Sequence, residues 1–222
     1  MIYFLADQHG GERVGELQKY IDTAKDGDLL IILGDIGLKF RDTEENRAFD
    51  ELILSSSKKI AFLDGNHENF KYIYSFPEED WCGGRVHRLS ENVIHLERGY
   101  IYEINGKSFF TFGGCISSGR WRELGLWQPE EAPTEAELSR AYANLDACGR
   151  KVDYVLMHKY ENGRGTRTPE LLSLSSFIDS EVEFKHLYAG HWHETFSIDE
   201  KHSFVYDELI PLDEKAEGLG NV

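Results

Sequence analysis

Short apolar runs recur along the chain and, in its first third, alternate with segments of helical period. "IYFLAD" (2–7) is followed by residues 12–28, in which Val14, Leu17, Ile21 and Ala24 recur at the spacing of one helix face. "DLLIILGD" (28–35), a helical stretch over 43–57 with Phe49, Leu52 and Ile53 inward, and "KKIAFLDGN" (58–66) continue the series. Strands that are apolar throughout have no face to offer water. The alternation therefore predicts a largely parallel sheet covered on both sides.

The middle of the chain changes character. "NVIHL" (92–96), "GYIYEING" (99–106) and "KSFFTFGG" (107–114) are closely spaced, and Asn105-Gly106 is a hairpin signal, so antiparallel pairing is expected for all three. Residues 114–133, with Trp121 and Trp127 among glycines, prolines and arginines, read as one long irregular loop. Thr134 and Glu137 form a capping-box pattern ahead of a helix that buries Leu138, Ala141, Tyr142 and Leu145. "VDYVLMH", "FKHLYAGHWH" and "SFVYDELI" then read as three further strands. Without a repeat or a linker, residues 1–210 are expected to form one domain and 211–222 a polar tail that frays.

Composition narrows the classes. With 222 residues, 41% apolar and 29% charged, the chain suits a soluble globular domain with a sizeable core. No run approaches the roughly 18 apolar residues of a membrane span, and the start lacks a signal-peptide pattern, so a cytoplasmic location is expected. Cys82, Cys115 and Cys148 are widely separated, which suggests neither a disulfide framework nor a thiolate zinc site. A formal charge of −16 opposes nonspecific binding to nucleic acid, though not a metal-dependent enzyme acting on phosphates.

Five polar stretches share one placement, each where an apolar run stops: Asp7-Gln8-His9, Gly34-Asp35, Gly65-Asn66-His67-Glu68, His158, and Gly190-His191-Trp192-His193. In sheets of this kind ligands gather at the carboxyl ends of strands, so these groups should converge. Singly, each has an ordinary reading as a surface turn, a capping turn or a satisfied histidine. In this combination and order the sequence resembles the calcineurin-like metallophosphoesterases, whose pattern is D-x-H, G-D, G-N-H-(D/E), H and G-H-x-H. "GNHENF", "NVIHLERG" and "INGKSFFTFGG" are similar to a little-characterised bacterial group within that superfamily.

The resemblance implies an α/β fold, a two-sheet sandwich flanked by helices in four αββα layers. It also implies two divalent metal ions, one surrounded by Asp7, His9, Asp35 and His193, the other by Asp35, Asn66, His158 and His191. Two cations about 3.5–4 Å apart need an anion between them, and the Asp35 carboxylate suits that place. Mixed nitrogen and oxygen ligands exclude little among Mn, Fe, Zn, Ni and Co but disfavour an all-oxygen magnesium or calcium site; manganese, or an iron-containing pair, is expected. In the family a metal-bridging hydroxide attacks phosphorus, and the histidine matching His67 stabilises charge or protonates the leaving oxygen, a role that a histidine's ordinary pKa suits. The alternative for His67 is support of a metal ligand, and Glu68 is expected to orient His67 or Asn66.

The sequence departs from relatives in two places. The Asp-Arg-Gly of the protein Ser/Thr phosphatases is replaced by "GDIGLKFRD", which removes their phosphate-clamping arginine. After His158 stands "HKYENGRGTRTPELL", whose Arg164 and Arg167 are candidate substrate clamps or plain solvated charges; Arg120 and Arg122, beside Trp121, raise the same choice, with base stacking added. His87, His95, His186 and His202 match no motif and read as structural or surface histidines. The expected function is hydrolysis of a phosphate ester, with a preference for a phosphodiester or nucleotide. A phosphomonoesterase or protein phosphatase is the alternative within the superfamily. A non-catalytic scaffold, or a nuclease subunit of a larger assembly, is the alternative outside it.

Overall fold

The computed structural model describes residues 1–117, 119–125, 127–161 and 168–212. Its elements run β1 (Ile2–Leu5), α1 (Gly15–Thr23), β2 (Leu29–Leu33), α2 (Glu44–Leu54), β3 (Lys59–Leu63), α3 (Phe70–Ile73), β4 (Glu78–Trp81), β5 (Gly84–Arg88), β6 (Val93–Leu96), β7 (Ile101–Ile104) and β8 (Lys107–Phe112). There follow α4 (Gly119–Glu123), a 3-10 turn (Pro129–Glu131), α5 (Glu135–Ala147), β9 (Tyr154–Met157), α6 (Pro169–Glu181), β10 (His186–Ala189), β11 (Phe196–Ser197), β12 (His202–Phe204) and β13 (Ile210–Pro211). One sheet has the order β13-β1-β2-β3-β6-β5-β4, the other β11-β12-β10-β9-β8-β7.

The apolar strands divide their side chains by twos. Phe4, Ile31, Leu33, Ala61 and Leu63 meet Tyr102, Phe109, Tyr154, Leu156 and Tyr188 of the other sheet in a shared core. Their neighbours Leu5, Leu30, Ile32 and Phe62 point the other way, onto Leu17 and Tyr20 of α1 and Phe49 and Ile53 of α2. Phe110, Phe112, Val155, Met157 and Leu187 pack outward against Ala141 and Leu145 of α5 and Leu171, Leu174 and Ile178 of α6. Helix, sheet, sheet and helix thus form the four-layer αββα sandwich. The capping box at Thr134 and Glu137 opens α5 as the sequence predicts, and Asn105-Gly106, both at positive φ, turn the β7–β8 hairpin.

Several expectations are corrected. The run 92–96 is not simply antiparallel: β6 pairs parallel with β3 and antiparallel with β5, so it extends the first sheet. The segment 114–133 holds α4 and the 3-10 turn rather than loop alone. The run 203–210 splits between sheets, Phe204 on β12 and Ile210 on β13, which pairs with β1. The N–H of Leu212 donates to the carbonyl of Ile2, and Leu212 is buried.

One buried ion pair fixes the segment over the strand ends. The Arg98 guanidinium, 2% exposed, donates to both the Asp64 carboxylate and the carbonyls of Glu130 and Ala132, while Asp64 also faces His95 Nε2 at 3.2 Å. Burial alone raises the Asp64 pKa; Arg98, followed by His95, outweighs it and holds the carboxyl far below its usual range. A carboxyl so depressed adds stability above its unfolded pKa of about 3.9, and that contribution is lost as pH falls below it. Arg98→Met leaves a buried carboxylate without its partner and is expected to cost about 3–5 kcal/mol near neutral pH. The deficit should shrink as pH falls through about 4, where Asp64 is protonated in the unfolded chain, and urea unfolding at the two pH values measures it.

Candidate metal centre

The five polar stretches follow β1, β2, β3, β9 and β10 and meet at one end of the sandwich. The loops after β1 and β2 run side by side, with Asp7 N donating to the Gly34 carbonyl (3.1 Å), His9 N to that of Asp35 (2.9 Å) and Gly10 N to that of Ile36 (3.0 Å). Asp7, His9, Asp35, His191 and His193 all have left-handed backbone, at φ of 53°, 46°, 54°, 74° and 52°. Nine non-glycine residues do so among the described residues, and five of them are here. Each such residue is disfavoured by on the order of 1–2 kcal/mol, so the surrounding contacts hold the loops in shapes they would not adopt alone.

Glycine admits the groups that must come close. A Cβ on Gly34 would stand 2.2 Å from His158 Nδ1, and one on Gly65 would stand 2.1 Å from Asp35 Oδ1. The glycines of "GD" and "GN" are therefore spaces in which an imidazole and a carboxylate sit.

Three groups each offer ligand atoms within 4.8 Å of one another: Asp7, His9 and His193; Asp7, Asp35 and His158; His9, Asp35 and His67. His158 Nδ1 lies 2.9 Å from the Leu33 carbonyl and so carries the proton; its Nε2 lone pair is turned inward, 3.4 Å from Asn66 Oδ1 and 3.6 Å from Asp35 Oδ1. His9 Nε2 and His193 Nε2 approach to 3.0 Å, and His193 Nε2 lies 3.5 Å from Asp7 Oδ1, an oxygen shut off from solvent with no hydrogen-bond partner. Lone pairs that face lone pairs in a dry place are the donor set of divalent cations, and the residues fit them. His191 stands beside this set, its ring 5.2 Å from that of His158, its N–H donating to Asp7 Oδ2, and its Nε2 3.7 Å from Cys115 Sγ.

The electrostatics keep the buried donors Asp35, His9 and His191 in ligand form. Burial pushes the Asp35 carboxyl up, but His158, His67 and His9 outweigh it and bring the pKa down to about 2. Burial lowers the pKa of His9, and that of His191 well below the ordinary value, so both rings are neutral. His193, with a half-exposed side chain, moves the other way, its pKa raised by the Asp7 carboxylate beside it. Its ring is stacked on Tyr206, centroids 5.0 Å apart, and Arg13 lies over Tyr206 at 4.3 Å. Burial raises the Cys115 thiol to about 12, which leaves it protonated.

A cleft of about 240 Å³ opens onto these groups, lined by Asp35, Asn66, His67, His191 and His193 together with Ile116, Ser117, Trp121, Lys159 and Trp192. The N–H of His67 donates to Asp35 Oδ1 at 2.7 Å, and its ring stands edge-on among Phe40 (5.6 Å), Trp121 (5.4 Å) and His9 (5.0 Å). Glu68 does not orient His67 or Asn66: its carboxylate accepts the N–H groups of Ile36, Gly37 and Gly65 and so fastens two site loops together. Trp192 packs against the outer core of the second sheet as well as lining the cleft. Arg120 and Arg122 are exposed on α4, Arg122 over the Trp127 ring at 4.5 Å, while Arg164 and Arg167 lie outside the described residues. His87 and His95 lie away from this cleft, beside Asp64 and Glu97.

Sequence reasoning passed over Lys159 and Ser117. Lys159, 1% exposed and 3.0 Å from Glu161, follows His158 directly, and its position one residue past a strand-end histidine was the available signal. Ser117 Oγ accepts from Asn66 Nδ2 at 3.3 Å, a contact across 51 residues that no local pattern announces.

Gly34→Ala should drive His158 from its place. The expected result is a folded protein whose capacity to bind divalent metal falls about tenfold or more, read by metal analysis.

A profile of the calcineurin-like phosphoesterases matches residues 1–195, a span that contains all five polar stretches. A search of curated proteins gave no significant match. The profile covers most of the chain, and with the four-layer sandwich and the convergent donors it establishes that this protein belongs to the calcineurin-like phosphoesterases, metal-dependent hydrolases of phosphoric esters.

Proposed function

We propose that the protein hydrolyses a phosphodiester or nucleotide ester at two divalent cations, manganese foremost. Asp7, His9, Asp35 and His193 would hold one, and Asp35, Asn66, His158 and His191 the other. The observation that carries this reading is the setting of Asp35: one carboxylate oxygen faces His9 at 3.8 Å and the other faces His158 at 3.6 Å, so a single anion serves both sides. Cations bound there would lower the pKa of water and polarise a phosphoryl oxygen.

The chain's own groups supply the rest. Asp35, ionised across the working pH range, holds the N–H of His67 and thereby fixes the ring at the cleft. His67 donates a proton to the departing ester oxygen, which otherwise leaves as an unstable alkoxide. Lys159, held by Glu161 at the wall of the cleft, would set a positive charge against the non-bridging phosphoryl oxygens, in the role for which this sequence has no arginine directly after Asp35. Trp121, edge-on to His67, offers an aromatic surface to a base, and this supports the diester or nucleotide over a phosphoprotein.

Chelation should abolish hydrolysis and manganese should restore it, with bis(p-nitrophenyl) phosphate turned over faster than p-nitrophenyl phosphate. Nucleotide and cyclic nucleotide substrates then refine the class. Activity on the monoester alone would favour the phosphomonoesterase, and full activity of Asp35→Ala would overturn the mechanism. His67→Ala is expected to keep its metal content and to lose about 10²–10⁴-fold in turnover on esters with poor leaving groups, with a much smaller loss on p-nitrophenyl esters.

A further inference from the structure

A second cluster of ligand-type side chains lies on the outer face of β4, β5 and β6, the last three strands of the first sheet. Glu78 stands directly opposite His87 in the β4–β5 pairing, and His87 directly opposite His95 in the β5–β6 pairing. Cross-strand partners share a face, and Glu97, two residues beyond His95, continues it. The register alone therefore places two carboxylates around one imidazole, and the side chains of Glu78, His87 and Glu97 offer ligand atoms within 4.8 Å of one another.

The orientation of His87 is that of a metal ligand. Its Nδ1 lies 2.7 Å from the Phe76 carbonyl, which can only accept, so Nδ1 carries a proton and Nε2 is the atom left to meet either a second proton or a cation. A backbone carbonyl on the far nitrogen is the usual way in which a protein fixes the tautomer of a ligating histidine. His87 is 5% exposed, and its Nε2 points at Glu97 Oε1, 3.0 Å away. That spacing is close to an edge between two ligands of one ion.

The cluster borders a cleft of about 400 Å³ between these strands and the start of α5, with Glu78, His87, His95, Glu97 and Arg140 among its walls. His95, 1% exposed, also lines this cleft; its ring is stacked on that of His87 with centroids 5.8 Å apart, and its Nδ1 has no hydrogen-bond partner. Arg85 reaches Glu78 at 3.0 Å and Arg140 reaches Glu97 at 3.7 Å. Both contacts leave the second oxygen of a carboxylate for another partner.

We propose that Glu78, His87 and Glu97 form a separate mononuclear site for a divalent cation of the zinc, cobalt or nickel type, which fastens the β4–β5 hairpin to β6. One imidazole and two carboxylates, completed by water, suit a borderline cation. The competing occupant is a proton shared between His87 and Glu97. This site is independent of the phosphoesterase centre, since none of its three ligands belongs to that centre.

The test uses the full-length chain, stripped with a chelator and titrated with Zn²⁺ alone, the bound ions being counted by mass spectrometry of the metal after gel filtration. Wild type should retain one more ion per chain than His87→Gln or Glu97→Gln, while turnover of the chromogenic diester in manganese stays the same in all three. Zn²⁺ should also raise the unfolding temperature of wild type more than that of the variants. Should His87→Gln fail to fold, Glu78→Gln, whose side chain is half exposed, makes the same comparison and should weaken the extra ion at least tenfold. Equal ion counts and equal affinities in wild type and the variants would overturn the proposal and leave a protonated His87–Glu97 pair.

Discussion

Burial on both faces of the central strands is the constraint from which the rest follows. β1, β2, β3, β9 and β10 have one row of side chains in the inter-sheet core and the other beneath helices, so beyond the first residue, Lys59 of β3 and His186 of β10, no charged or imidazole side chain stands along them. Polar groups are confined to the points where the strands end, and parallel strands end together. The convergence of Asp7, Asp35, Asn66 and His158 is thus a product of packing before it is a feature of chemistry. Glu68 and Arg98 complete the arrangement from behind: the first joins two of the loops through their N–H groups, and the second pins the segment that supplies Ser117 and Trp121.

That constraint also explains what could be read from the sequence. Strands such as Leu29–Leu33 announce themselves by being apolar at every position, and the residues just past them were legible as site candidates for the same reason. The four-layer architecture itself came from resemblance rather than periodicity. The β4–β5 hairpin escaped because it lies at a sheet edge and carries Glu78, Glu79, Asp80, Arg85 and Arg88, which hide any alternation. Its turn was visible in principle, since Cys82 and Gly83, both at positive φ, make a two-residue connection between Trp81 and Gly84. Helix α6 was hidden by serines at several of its positions, although Pro169 at its first turn was a start signal.

Tertiary contacts decide the remainder. Neither the role of Glu68 as a backbone acceptor nor the pairing of Asn66 with Ser117 follows from local pattern, because both partners are fixed only when the loops meet. Tyr206 is a similar case. It lies beyond residue 195, where the family match ends, yet it forms the stacking wall of His193, the most exposed of the candidate ligands. The surroundings of this centre therefore extend past the span that the family match covers.

The left-handed backbone at Asp7, His9, Asp35, His191 and His193 bears on how such a chain can change over time. Glycine or asparagine would relieve the strain at each of these positions, so selection for stability alone pulls against the side chains proposed to hold the metal ions. A descendant released from catalysis should drift toward glycine and asparagine at these five places first, with its strands and helices intact.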